Sequence, residues 1–302
     1  MPERYEADVV FSCGEDNFLP DVDVWIVIDV LRATTVMTRW FELGGQELYP
    51  VKTPDDARKL VETLKARGSS PLLMGEVNGL PPAGFDLGNS PVELNYSVVQ
   101  EHYCGVMSTT NGTVALCQAA STGSPVLAAS LRNYSAVLDY ALTLGNRVGL
   151  LCSGRKKRPS WEDTLCAGAI VEELATRGEV YMSDSAKMAL TLWQTRGENL
   201  VKCVMKSEHA LYLEQIGFSE DIAFCCKMDE ATVVPMLVTE EGRNILRSVS
   251  GSARPYQRNH EVPAPETSYQ PHEIPAPETS QPENVKKIDP FEELLSYTRK
   301  KG

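Results

Sequence analysis

Between residues 24 and 110, short apolar runs alternate with stretches in which apolar positions recur every three or four residues. VWIVIDV (24–30), ELYPV (47–51), PLLMG (71–75) and GVMSTT (105–110) read as strands, with a helix expected near 34–43. Thr53-Pro54-Asp55-Asp56 opens a second helix reaching to about 66, and Ser90-Pro91-Val92-Glu93 has the form of a capping box that would start a third. The strand runs are apolar on both faces, as in a mostly parallel sheet covered by helices, so the fold class is α/β.

Shifting the chain by 78 residues aligns it with itself without a gap. Thr35 falls on Thr113, Gly45 on Gly123, Leu60 on Leu138, Leu64 on Leu142 and Leu72-Leu73 on Leu150-Leu151. A constant offset through about 40 residues points to an internal duplication, with halves near 24–102 and 103–180. Two such halves would form a pseudo-twofold pair. Ligands of open α/β sheets sit beyond the carboxyl ends of the strands, so two related sets of loops are expected to face one cleft.

The unusual residues gather in those loops. Asp29-Val30-Leu31-Arg32-Ala33-Thr34-Thr35 follows the first strand with a carboxylate, a guanidinium and two hydroxyls at a helix start, a combination suited to an anion plus a metal. An Asp/Thr helix cap with Arg32 in a surface ion pair is the plainer alternative. Its counterpart Ser108-Thr109-Thr110-Asn111-Gly112-Thr113 resembles a phosphate cradle but lacks the lysine and spacing of a nucleotide-binding loop. Gly75-Glu76 leads into a Gly/Pro-rich loop carrying Asp86 and Asn89, and Glu162-Asp163 opens a later helix. Carboxylates on strand-end loops supply the hard oxygen ligands Mg²⁺ requires, with substrate phosphate completing its shell.

Charge narrows the partners. With 29 Lys+Arg against 41 Asp+Glu the net charge is −12, which disfavours nucleic acid and anionic membrane surfaces. The basic stretch Arg155-Lys156-Lys157-Arg158 would attract a small anionic substrate into this acidic protein. No apolar run is long enough for a membrane span and the first ten residues lack an apolar signal core, so a cytoplasmic location is expected. The eight cysteines contain no C-x-x-C and mostly sit in apolar runs, which predicts reduced, packed thiols. His102 and His209 have no evident acidic or nucleophilic partner in the sequence.

Two phosphatase patterns fit poorly. Asp21-Val22-Asp23 does not follow a strand, and Cys152 to Arg158 has C-x5-R spacing but misplaced glycine and no preceding histidine. After about residue 250 the composition changes. HEVPAPETSYQP at 260–271 is nearly repeated as HEIPAPETSQP at 272–282, which predicts a globular part over 1–248, an extended linker over 249–288 and a short amphipathic helix over 289–302. That helix could dock on the protein itself, on a second copy in a homodimer, or on a partner.

Taken together, DVLRATT, GE followed by GFDLGNSP, TTNGT, the stretch SG…WED…CAG at 153–168, and residues 207–235 resemble the 2-phosphosulfolactate phosphatase family, from about residue 5 to 240. The resemblance implies a three-layer α/β/α architecture of two intertwined halves and a Mg²⁺-dependent hydrolysis of (2R)-phosphosulfolactate to (R)-3-sulfolactate and phosphate, a step of coenzyme M biosynthesis. Carried over motif by motif, it makes Asp29, Glu76, Asp86, Glu162 and Asp163 candidates for metal binding or acid/base work. Arg32, Thr34, Asn89, Thr109, Thr110, Asn111, Gly112 and Thr113 become candidates for holding phosphate or the substrate's acidic groups. Val77-Asn78 stands where a basic residue often follows the family's glutamate, which bears on substrate identity. A non-catalytic phospho-ligand binder on the same fold is the competing reading.

Overall fold

The computed structural model describes residues 4–14, 17–196 and 199–249. Along the chain the elements are β1 (Arg4–Val10), β2 (Val24–Ile28), α1 (Ala33–Glu42), β3 (Glu47–Val51), α2 (Pro54–Ala66), β4 (Leu72–Gly75), α3 (Tyr96–Gln100), β5 (Cys104–Ser108), α4 (Gly112–Ala120), β6 (Val126–Ala129), α5 (Tyr134–Leu144) and β7 (Arg147–Cys152). There follow α6 (Trp161–Ala175), β8 (Glu179–Met182), α7 (Asp184–Gln194), α8 (Leu200–Val204), α9 (Glu208–Gln215), α10 (Ser219–Cys225), β9 (Val234–Glu240) and β10 (Arg243–Val249). The predicted strands and the first two helices fall within a few residues of these bounds.

All ten strands join one sheet in the order β4-β5-β3-β10-β9-β6-β2-β7-β1-β8. Two parallel groups, β4-β5-β3 and β6-β2-β7-β1-β8, flank the antiparallel hairpin β9-β10. The repeat read from the sequence appears as β2-α1-β3-α2-β4 and β5-α4-β6-α5-β7. The halves exchange their leading strands: β5 lies between β3 and β4, and β2 lies between β6 and β7. Intertwining is therefore a matter of strand order.

Alternation along each strand sorts the core. Trp25 and Val27 of β2, Leu48 of β3, Met74 of β4 and Met107 of β5 share a cluster with Met37 and Trp40 of α1 and Leu116 of α4, which places these two helices between the parallel groups. The opposite face of β2, with Val24, Ile26 and Ile28, packs against α5, α6 and α7. Tyr49, Leu73 and Val106 face α2. Strands β2, β4 and β5 are thus buried on both faces, which is why their runs are apolar throughout, whereas β1 and β8 keep one exposed face.

One expected helix start is displaced. The Ser90 hydroxyl is spent on Asp221 at 2.6 Å, so it caps nothing, and α3 begins five residues later with the Asn95 side chain accepting from the Val98 N–H at 3.1 Å. Among the described residues no helix is long and apolar enough to cross a membrane. All eight cysteines are unpaired, and seven of them are buried. Val249, expected to begin the linker, closes β10 instead; the rest of the proposed linker and the terminal helix lie outside the described residues.

Candidate active site

The loops after β2 and β5 are built alike. The Thr34 hydroxyl donates to the Asp29 carbonyl at 2.8 Å and accepts the Asp29 N–H at 2.9 Å. In the other half the Thr113 hydroxyl accepts the Thr109 N–H and donates to the Thr109 carbonyl, both at 3.1 Å, while the Thr109 hydroxyl accepts the Thr113 N–H at 3.0 Å. Thr34, Thr109 and Thr113, expected to hold phosphate, are buried and close their own loops instead. Short hydroxyl side chains satisfy nearby backbone groups readily, and here that use takes precedence.

Each loop is also anchored by a carboxylate. Asp163 accepts the Val30 N–H at 2.8 Å and the Gly154 N–H at 3.1 Å. Glu76 accepts the Thr110 N–H and the Gly79 N–H, each at 2.7 Å. Burial, reinforced by the charges of Asp29 and Glu162, pushes the Asp163 carboxyl well above the usual range. Arg32, buried, donates to Asp221 at 2.6 Å and to the Gly79 carbonyl at 2.7 Å and stacks on Phe218 with its guanidinium carbon 4.3 Å from the ring centre. The plainer expectation of a surface ion pair for Arg32 is corrected: its partner Asp221 is itself fully buried.

Above these anchors lies a cavity of about 180 Å³. The β2–β7 side contributes Asp29, Leu31, Arg32, Arg155 and Lys156, and the β4–β5 side contributes Glu76, Asn78, Gly79, Asn89, Thr110 and Asn111. Helix α9 adds His209 and Tyr212. Of the residues expected at a site, Asp29, Arg32, Glu76, Asn89, Thr110 and Asn111 therefore meet. Gly112 lies behind Asp29, where a Cβ would stand 2.7 Å from the Asp29 Oδ2 and 2.4 Å from the Ala33 Cβ, so its lack of a side chain lets α4 approach α1. Asp86 does not join them: it is exposed and accepts the Leu73 N–H at 2.8 Å, bracing the chain beside β4.

Asp29 is the unusual acid. Burial raises its carboxyl to about 6, with the Glu76 charge adding to the rise and His209, Ser153 and the Ala33 N–H opposing it. His209, for which the sequence shows no partner, is paired after all. Its Nδ1 lies 3.0 Å from the Glu162 Oε1, across 47 residues. Ser207 caps α9 by accepting the Ala210 N–H at 3.0 Å, which puts His209 in the first turn of that helix. Glu162 is buried, and its Oε2 has no hydrogen-bond partner. Asp163 and Glu162 thus act from behind the cavity wall, one on the backbone and one on His209.

The rejected phosphatase patterns have structural uses. Asp21 and Asp23 both bind Arg147, at 3.0 and 2.8 Å. Cys152 is fully buried, and burial holds its thiol well above the usual range, the opposite of a nucleophilic thiolate.

Among the described residues no three His, Cys, Asp or Glu side chains form a ready metal cluster. The donors nevertheless suit a hard divalent ion. Asp29 and Glu76 line one cavity, where the Glu76 charge disfavours that of Asp29, and Asn89 brings a buried carbonyl Oδ1 with no partner. One or two carboxylates with an amide oxygen, retained waters and phosphate oxygens are what Mg²⁺ takes.

Comparison with known proteins decides the family. Residues 13–240 match the family model described as 2-phosphosulpholactate phosphatase. The chain belongs to that family. Similar proteins named probable 2-phosphosulfolactate phosphatase occur in Pseudothermotoga lettingae (38% identical, covering 74% of this chain and 95% of the relative) and Deinococcus radiodurans (37%, covering 74% and 92%). A third, of the same name, is from Thermus thermophilus (37%, covering 80% and 98%). The family's named activity is that of a phosphoric monoester hydrolase.

Proposed function

We propose that this member of the 2-phosphosulpholactate phosphatase family hydrolyses the phosphate monoester of a small 2-hydroxy acid, with Mg²⁺ as cofactor and 2-phosphosulfolactate as the first candidate substrate. One observation carries the reading: a buried carboxyl raised to about 6 shares a cavity of about 180 Å³ with two cations, Arg155 and Lys156, that have no carboxylate partner among the described residues. Asp29, Glu76 and the Asn89 carbonyl would hold the ion. Bound there, it would neutralise phosphoryl oxygens and lower the charge repulsion between the carboxylates.

The protein's own groups then have distinct tasks. Asp29 takes the proton of the attacking water through its carboxylate as the new P–O bond forms. As the ester P–O bond breaks, His209 gives a proton to the leaving alkoxide, its ring oriented by Glu162. Arg32 fixes the Gly79 turn, which with Thr110 and Asn111 forms the wall opposite Asp29. The test is phosphate release from a panel of phosphorylated 2-hydroxy acids, with Mg²⁺ and with a chelator. Release abolished by the chelator supports the reading, whereas saturable binding without turnover supports the non-catalytic alternative.

A further inference from the structure

The 78-residue repeat places two equivalent turns on this cavity. After β4 the Val77 N–H donates to the Leu80 carbonyl at 3.0 Å, and the intervening Asn78 and Gly79 have φ of 52° and 77°. After β7 the Arg155 N–H donates to the Arg158 carbonyl at 2.9 Å, and Lys156 and Lys157 have φ of 52° and 60°. Asn-Gly suits two successive left-handed residues; Lys-Lys does not, because each Cβ crowds the backbone there. The second turn therefore keeps a costly conformation with four consecutive cations where its twin has none. Conformational cost retained at a cavity rim points to a role for the side chains.

Only part of that turn faces the cavity: Arg155 and Lys156 line it, and Lys157 does not. The Arg155 guanidinium lies 4.9 Å from the centre of the Tyr212 ring, and the Tyr212 hydroxyl donates to the Asn78 carbonyl at 2.9 Å, so one aromatic side chain ties the two turns together. Arg155 also borders an adjoining cavity of about 400 Å³, so substituents on this side of a substrate have room.

We infer that Arg155 and Lys156 form a subsite for the substrate's acidic groups other than the transferred phosphate, a carboxylate or a sulfonate, and so determine specificity. The inference rests on the phosphatase reading and names the part of the cavity that distinguishes a phosphorylated acid from a plain alkyl phosphate. A fixed guanidinium beside a mobile ammonium suits a second anion held a few bonds from the phosphoryl group.

Three esters separate the sources of that anion: 2-phosphosulfolactate, 2-phospholactate, in which a methyl replaces the sulfonatomethyl group, and isopropyl phosphate, which lacks the carboxylate as well. Arg155→Gln and Lys156→Asn remove the charges, and the latter reproduces the better-tolerated Asn78. Each is expected to reduce the preference for an acid-bearing ester, as a ratio of kcat/KM, by about 10- to 100-fold, mainly through KM. A fall in the first-to-second ratio assigns the cations to the sulfonate, and a fall in the second-to-third ratio assigns them to the carboxylate. Lys157→Gly, which copies Gly79, should leave both ratios in place. Ratios unmoved by the Arg155 and Lys156 variants, or moved equally by Lys157→Gly, overturn the subsite. Calorimetric binding of sulfolactate gives a second readout, with about tenfold weaker affinity expected in either charge-removing variant and undiminished affinity counting against the inference. If the wild type hydrolyses none of the esters, the phosphatase reading fails while this binding measurement still decides the subsite.

Discussion

Asp29 connects the folded chain's pH response to its chemistry. Its carboxyl is raised from 3.8 to about 6 by burial. The folded state therefore holds that proton more tightly than the unfolded state, and the stabilisation present below about pH 4 is lost as pH rises through about 6, roughly 3 kcal/mol for this group. Asp29→Asn keeps the shape without the charge. It should gain stability over the wild type at pH 8 but not at pH 4 in denaturant titrations, while kcat falls by at least about 100-fold. Mg²⁺ should raise the wild-type Tm at pH 8 and leave that of Asp29→Asn unchanged. In the wild type, Mg²⁺ affinity measured by calorimetry should fall as pH drops through about 6, because a protonated Asp29 is a poor ligand for the ion. His209→Gln should lower kcat by about 10- to 100-fold, and Glu162→Gln should weaken the same step less; pre-steady-state phosphate release measures both. The sequence shows Asp29, Glu76 and Asn89 through their place after strands. It hides His209, because its partner Glu162 lies 47 residues away with no periodic relation. It also cannot show that the threonines turn inward, since a hydroxyl that caps a loop and one that meets a ligand have the same identity and spacing.

At the level of elements, the meeting of α1 and α4 sets the cavity floor. Gly112→Ala would place a methyl 2.4 Å from the Ala33 Cβ and 2.7 Å from the Asp29 Oδ2. The expected cost is about 1–3 kcal/mol in stability, visible as a lower Tm, together with a reduced kcat because Asp29 is displaced. Helix α3 shows a limit of local reading. Ser90 to Glu93 satisfies the capping pattern, yet Ser90 bonds Asp221, 131 residues away, and tertiary demand outweighs the local cap. By contrast Thr53 caps α2 as its sequence predicts, accepting the Asp56 N–H at 3.1 Å, because nothing distant competes for its hydroxyl.

Over the whole molecule, strand exchange governs cooperativity. Among β2, β3 and β4 no two are neighbours in the sheet, and the same holds for β5, β6 and β7. Fragments 1–102 and 103–249 should therefore each lack stable native structure and recover it only when mixed, as followed by circular dichroism and amide dispersion. The intact globular part should unfold in one transition. The α/β class and the 78-residue period are legible because burial pattern and repeat length are local properties. The order of strands is not, since it depends on which distant edges meet.

Within either half no two of the three repeat strands pair with each other. Because the two rims are separate segments of one chain, each carries its own residues, Asn78-Gly79 on one and Lys156-Lys157 on the other. Remodelling the rim at 155–158 is accordingly the shortest route to a variant that accepts a different acid while the opposite rim stays as it is.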